Sequence, residues 1–244
     1  MPIHSLSLKA VFFDADDTLF KIKGGVGAAY AGILHRHGLV VAPDQLEKVI
    51  WRVFQEWNGE YLNSSQQYRA DHKRDFEWWR EFCKRIVAHY GETPKPEELY
   101  DELYYYFERA ESRELNHAVT DLISHFRDLG YKTGVLTNND KRIYKLAEEL
   151  NIDHHFDYIL CASDVGYRKP SPHSFEGARK KVGFQAEQML YIGDNLHDDI
   201  YGATKAGWHA AWYNPEQKKP HIEGVKPTVS VRCFSELIKK PTAS

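Results

Sequence analysis

The chain has 244 residues, 42% of them hydrophobic and 27% charged, with a net charge of −3. That supports one large domain or two modest ones, and it excludes the global basic field that draws a protein to nucleic acid polymers or anionic membranes. No signal-peptide pattern or membrane-length apolar run stands in the sequence, and Cys83, Cys161 and Cys233 have no metal-binding spacing, so reduced thiols in a cytoplasmic protein are expected.

In chain order, the first element is a strand over 10–13, AVFF, which runs straight into Asp14, Asp16 and Asp17. A wholly helical stretch follows from about 21 to 116. Apolar residues at helical spacing predict helices over 24–38, 45–61, 76–90 and 97–108, the last two separated by GETPKP. From 118 onward helices and strands alternate. Helices are predicted over 118–129, 141–150, 172–182 and 199–206, and strands over 131–136, 157–161, 188–192 and 208–212. The tail after Asn214 is proline-marked loop with one short strand and helix. Alternation of this kind implies an α/β fold with a parallel sheet covered on both faces. The strand over 10–13 belongs to that sheet, so the helical stretch is an insertion behind its first strand.

In an open parallel sheet, ligands bind beyond the carboxyl ends of the strands. Four predicted strand ends carry polar chemistry: Asp14, Asp16 and Asp17 after the first; Thr137, Asn138 and Asn139 after the second; Arg168 and Lys169 in the loop after the third; Asp194, Asp198 and Asp199 after the fourth. Two carboxylate clusters converging on one point call for a cation, and an all-oxygen donor set points to Mg²⁺. A lysine and a threonine beside it suit a phosphate. A carboxylate there can act as nucleophile, and a second one can serve the leaving group and the incoming water.

Asp14-Ala-Asp16-Asp17-Thr18, Thr137, Lys169-Pro170 and Gly193-Asp194-x-x-x-x-Asp199 together resemble the four motifs of the haloacid dehalogenase superfamily, in the same order and spacing. The likeness covers about residues 8–213, and within it the first subfamily, with a small helical cap, is the nearest in pattern. The resemblance implies a Rossmann-like catalytic core from 1–20 and 117–244, with an all-helical cap domain over 21–116. It implies Asp14 as nucleophile and Asp16 as acid and then base. Thr137, Asn138 and Lys169 would hold the phosphoryl group. Mg²⁺ would be held by Asp14, the backbone carbonyl of Asp16, Asp194 and the second acid of the fourth motif, Asp199 ahead of Asp198. Glycine is frequent in the family where Asp17 stands.

The expected activity is therefore a phosphatase acting on a small phosphorylated metabolite: a sugar phosphate, a phosphoglycolate-like acid or a nucleoside monophosphate. The protein is expected as a monomer or homodimer. Asp16 separates this from a 2-haloacid dehalogenase, because a halide leaves without a proton. A phosphomutase shares all four motifs, and a receiver-like signalling protein or a non-catalytic phosphate-binding protein are the alternatives outside that chemistry. An EF-hand fails, since Leu19 stands where the calcium loop needs glycine, and Gly25-Val-Gly27 reads as a hinge rather than a dinucleotide fingerprint. His35, His37, His154 and His155 read as surface histidines. Trp79, Phe82 and Ile86 form a packing stripe from which Trp78 falls off, so Trp78 is expected to be exposed toward a substrate. Lys21 and Lys23 are expected at the entrance, and Arg168 to face substrate or water.

Overall fold

The computed structural model describes residue 3 and residues 6–62, 67–91 and 93–238. Strand β1 (Ala10–Phe13) is apolar throughout and wholly enclosed, as a strand covered on both faces must be. A second strand, β2 (Phe20–Ile22), leads into four helices: α1 (Val26–Arg36), α2 (Pro43–Leu62), α3 (His72–Val87) and α4 (Pro96–Tyr106). The chain returns through β3 (Arg113–Leu115), then α5 (Val119–Asp128), β4 (Lys132–Thr137), α6 (Arg142–Glu149), β5 (Tyr158–Cys161) and the single turn α7 (Ala162–Val165). Last come α8 (Pro172–Val182), β6 (Met189–Gly193), α9 (Gly202–Lys205), β7 (His209–Tyr213), β8 (Val229–Val231) and α10 (Ser235–Ile238). None of the described helices is long and apolar enough to cross a membrane.

The main sheet is parallel, in the order β5-β4-β1-β6-β7-β8. β1 lies between β4 and β6, so the chain winds outward in both directions from it and leaves a crevice at its carboxyl end. The period of two along β1 divides the interior. Val11 and Phe13 join one cluster with Leu122, Phe126 and Leu146 of α5 and α6. Ala10 and Phe12 join another with Phe175, Ala178 and Ala203 of α8 and α9.

The helices α1 to α4 pack around a cluster of their own, built on Leu34, Leu46, Ile50, Phe82, Ile86, Leu99 and Leu103. Asp71 caps α3 by accepting from the Arg74 N–H. Gly27 lets α1 lie directly on α2, because a Cβ there would stand 2.4 Å from the Pro43 carbonyl. The expected hinge at Gly25 and Gly27 is thus partly a packing contact.

Two expectations are corrected. The stretch from 21 to 116 is not free of strands: β2 and β3 pair antiparallel, Phe20 with Leu115 and Ile22 with Arg113, where the chain leaves and re-enters the sheet domain. Three residues are too few for a visible alternation. Trp78 is buried, at 4% exposure, stacked on Phe82 and Trp57, while half-buried Trp79 is the one that reaches the cavity described below. In α3 the buried face runs Asp75, Trp78, Phe82, Ile86 at spacings of three and four, keeping Phe82 and Ile86 of the expected stripe but with Trp78 in place of Trp79.

Three further contacts tie the helices to the sheet unit. Asp75, 2% exposed, accepts from Ser163 and from the Arg168 guanidinium at 2.7 Å. Arg168 thus ties the two units through Asp75 while also lining the cavity described below. Tyr104 donates to Asp140 at 2.9 Å, and Arg142 donates to the Tyr104 carbonyl at 2.7 Å. The segment before α3 runs beside the loop before α8, with the Ala70 N–H donating to the Gly166 carbonyl and the Arg168 N–H to that of Tyr68.

Candidate active site

Each motif residue stands where a strand stops. β1 ends at Phe13 and the chain turns at once, the Asp17 N–H donating to the Phe20 carbonyl and that of Leu19 to the Ala15 carbonyl. Asp17 has φ near +60°, a conformation that aspartate tolerates better than most residues and glycine best of all. That is the physical content of the glycine expected there. Asp14 is sunk in the crevice at 9% exposure, Asp16 is half-buried and Asp17 is exposed.

Lys169 arrives from the loop after β5 and is 4% exposed. Its ammonium donates to Asp14 at 2.6 Å, to Asp199 at 2.6 Å and to the Tyr191 hydroxyl at 2.7 Å. Tyr191 in turn donates to the Leu136 carbonyl. Asn138, after β4, grips the backbone of the lysine from both sides: its carbonyl accepts from the Lys169 N–H at 2.7 Å and its amide donates to the Lys169 carbonyl at 3.0 Å. The Thr137 hydroxyl, 3% exposed, accepts from the Asn139 N–H. After β6, Gly193 allows Asp199 to lie flat on the strand end, since a Cβ there would sit 2.3 Å from the Asp199 carboxylate. Asp199 is fully buried and accepts from the Asn195 N–H at 2.9 Å. Its neighbour Asp198 stays at the rim with His197 and Asn138. Asp194 accepts from the Thr18 hydroxyl at 3.2 Å.

Asp14, Asp194 and Asp199 bring carboxylate oxygens within 4.8 Å of one another. Among the described residues Lys169 alone answers their charge from within, so the cluster keeps an excess of negative charge in a dry place. Burial pushes Asp14 up to about 7 and Asp194 up to about 8, with Asp199 adding to both. Burial also raises Asp199, against the pull of Lys169. For Lys169 burial works downward, but Asp14 and Asp199 hold it well above the usual lysine range. A crowded, all-oxygen set of this kind fits a hard divalent cation such as Mg²⁺.

Asp16 lies outside that group. One of its oxygens accepts from Arg113 of β3 at 3.1 Å and the other from Asn139 at 2.7 Å. Sequence reasoning assigned no role to Arg113 or Tyr191, and placed Thr18 only within the turn of the first motif. Tyr191 sits in a run that reads as core, and nothing local marks an arginine 97 residues from its partner. Above the cluster, between sheet unit and helices, lies a cavity of about 640 Å³. Asp14, Asp16, Thr137, Asn138, Lys169, Asp194 and Asp199 all line it. So does Lys21.

The haloacid dehalogenase-like hydrolase family model matches residues 8–207. Haloacid dehalogenase-like hydrolase domain-containing protein 3 of Homo sapiens is 23% identical, over 85% of this chain and 82% of its own. A glyceraldehyde 3-phosphate phosphatase of Methanothermobacter thermautotrophicus is 29% identical, over 88% of this chain and 91% of its own. Among solved structures, the HAD-hydrolase YfnB from Bacillus subtilis bound to magnesium superposes with a TM-score of 0.73 at 23% identity, covering 94% of this chain and 96% of that one.

Proposed function

The chain belongs to the haloacid dehalogenase-like hydrolases, and on that footing we propose that it is a Mg²⁺-dependent phosphatase of a small phosphorylated metabolite, working through an aspartyl-phosphate on Asp14. The observation that carries this is the three-way contact of Lys169 with Asp14, Asp199 and Tyr191 beside the carboxylate of Asp194. A glyceraldehyde 3-phosphate phosphatase among the relatives supports phosphate-ester chemistry. The magnesium of the YfnB structure supports the metal. Free thiols at Cys83, Cys161 and Cys233 suit the cytoplasm.

Asp14, Asp194, Asp199 and the backbone carbonyl of Asp16 would hold the ion, which when bound neutralises phosphoryl oxygens against the carboxylates. Lys169 pulls Asp14 toward its ionised form and aligns it, and with Thr137 it donates to the phosphoryl oxygens. Asp14 attacks phosphorus as the bond to the leaving oxygen breaks, and Asp16 gives that oxygen a proton. Asp16 then takes a proton from water as the water oxygen attacks phosphorus, the bond to Asp14 breaks, and phosphate leaves. The helical unit acts as a cap that excludes bulk water.

The test is phosphate release from a panel of phosphorylated metabolites, with Mg²⁺ or with EDTA, in wild type, Asp14→Asn and Asp16→Asn. Metal-dependent turnover lost in both variants is expected. Turnover that survives in Asp14→Asn sinks the reading.

A further inference from the structure

The cavity over Asp14 has two chemically different halves. Its floor is the acidic cluster; its roof is aromatic, with Phe54 of α2, Trp79 and Phe82 of α3, and Phe107 beyond α4. A helical bundle packing only on itself would enclose such rings, as it encloses Trp78. Phe54, Trp79 and Phe107 are instead only half-buried, and Trp51, which also lines the cavity, is 53% exposed. The Trp79 indole lies over the Arg142 guanidinium at 5.0 Å, and its N–H has no hydrogen-bond partner among the described residues.

The guanidinium groups in the same wall are already engaged. Arg142 donates to Asp140 and to the Tyr104 carbonyl, Arg113 to Asp16 and Ser112, and Arg168 to Asp75. Among the described residues, a leaving group with a second negative charge would meet, besides Lys21 and His197, only arginines that already donate to protein oxygens. A short sugar chain would leave the aromatic roof in contact with water, and a space of this size is typical of ligands that fill it. Resting on the phosphatase reading, we infer that the leaving alcohol carries a flat, uncharged aromatic or heteroaromatic ring, as in a nucleoside monophosphate, seated against Phe54 and Trp79. A three-carbon phosphate is then a poor substrate, unlike that of the phosphatase relative.

The matched pair adenosine 5′-monophosphate and ribose 5-phosphate tests this, because they share the phosphate and the sugar and differ in the ring. In wild type kcat/KM should favour the nucleotide by roughly tenfold or more, the scale of one base stacked on an aromatic side chain. Glyceraldehyde 3-phosphate should fall with ribose 5-phosphate. The preference should shrink toward one in Trp79→Leu and, to a smaller degree, in Trp51→Leu, whose exposed site makes misfolding no explanation. Titrating Asp14→Asn with the same pair, read by tryptophan fluorescence, reports ring recognition without turnover. Equal or reversed preference in wild type overturns the inference, as does a preference that both leucine variants leave intact. Fluorescence that distinguishes the pair while no panel member is hydrolysed counts against the phosphatase reading and leaves ring recognition standing.

Discussion

Arg113 and Asp16, 97 residues apart, meet at 3.1 Å at the point where the chain re-enters the sheet unit. The arginine side chain is 5% exposed and the aspartate 37%. Ile22 pairs with Arg113 in the β2–β3 ladder, so the acid proposed to protonate the leaving group is tied to the strand on which the helical unit ends.

If that contact orients Asp16, Arg113→Met should resemble a partial loss of the acid. General acid–base help is worth roughly 10²–10⁴-fold, and a good leaving group needs little of it. Turnover of an alkyl phosphate should therefore fall by about 10- to 100-fold, while 4-nitrophenyl phosphate should lose much less. Steady-state kinetics on both esters check this. Equal losses on the two would make Arg113 merely structural.

Asp75 accepts from Arg168 and Ser163 with almost no access to water. Breaking a buried pair strands the remaining charge, at a cost of about 3–5 kcal/mol. Asp75→Asn should lower the midpoint of thermal unfolding by roughly 5–15 °C. Adding Arg168→Met to that variant should recover part of the loss. Calorimetry of the three variants is the measurement, and additive losses would mean that the two residues do not interact.

Burial raises Asp14 to about 7 and Asp194 to about 8 from the ordinary value of 3.8. An acid raised in the folded state binds its proton more tightly there than in the unfolded chain. Its contribution to stability is present below pH 3.8 and is lost as pH climbs through about 7 and 8. Metal-free protein should thus weaken across that window, and a cation that displaces those protons should help more as pH rises. The thermal shift produced by Mg²⁺ relative to EDTA should be larger near pH 8.5 than near pH 6. A shift that is equal or smaller at the higher pH contradicts this.

Gly193 leaves no room for a side chain: a Cβ would meet three atoms of Asp199 between 2.3 and 2.6 Å. Gly193→Ala should push Asp199 off Lys169, with an overpacking cost of about 1–3 kcal/mol and a loss of Mg²⁺-dependent turnover larger than that cost explains. Melting curves alongside kinetics separate the two effects. Unchanged kinetics would show that Asp199 has no part in the reaction.

Much of this was legible in the sequence because strand ends are local events. An apolar run followed by acids, or by Thr137-Asn138-Asn139, marks where a buried strand meets solvent, and the parallel sheet brings such ends to one edge. The presence of the helices was legible as well, since periodicity is summed over many residues, although α3 begins at His72 rather than at the expected residue 76. The order of Trp78 and Trp79 was not. The face a helix buries depends on what packs against it, and here the buried side includes Asp75, a residue that its pattern alone would place in water.

By itself the sequence determined the α/β class, the helical insertion behind β1, and the residue types at four strand ends, because each is written in hydrophobic period and in turn chemistry. Only the tertiary structure decided which partners those residues take. Lys169 bridges Asp14 and Asp199, Arg113 holds Asp16, Arg168 pairs with Asp75, and Trp79 rather than Trp78 faces the cavity. These contacts join residues 30 to 155 positions apart, and the pairing of buried charges is settled by which side chains the packed backbone leaves within hydrogen-bond reach.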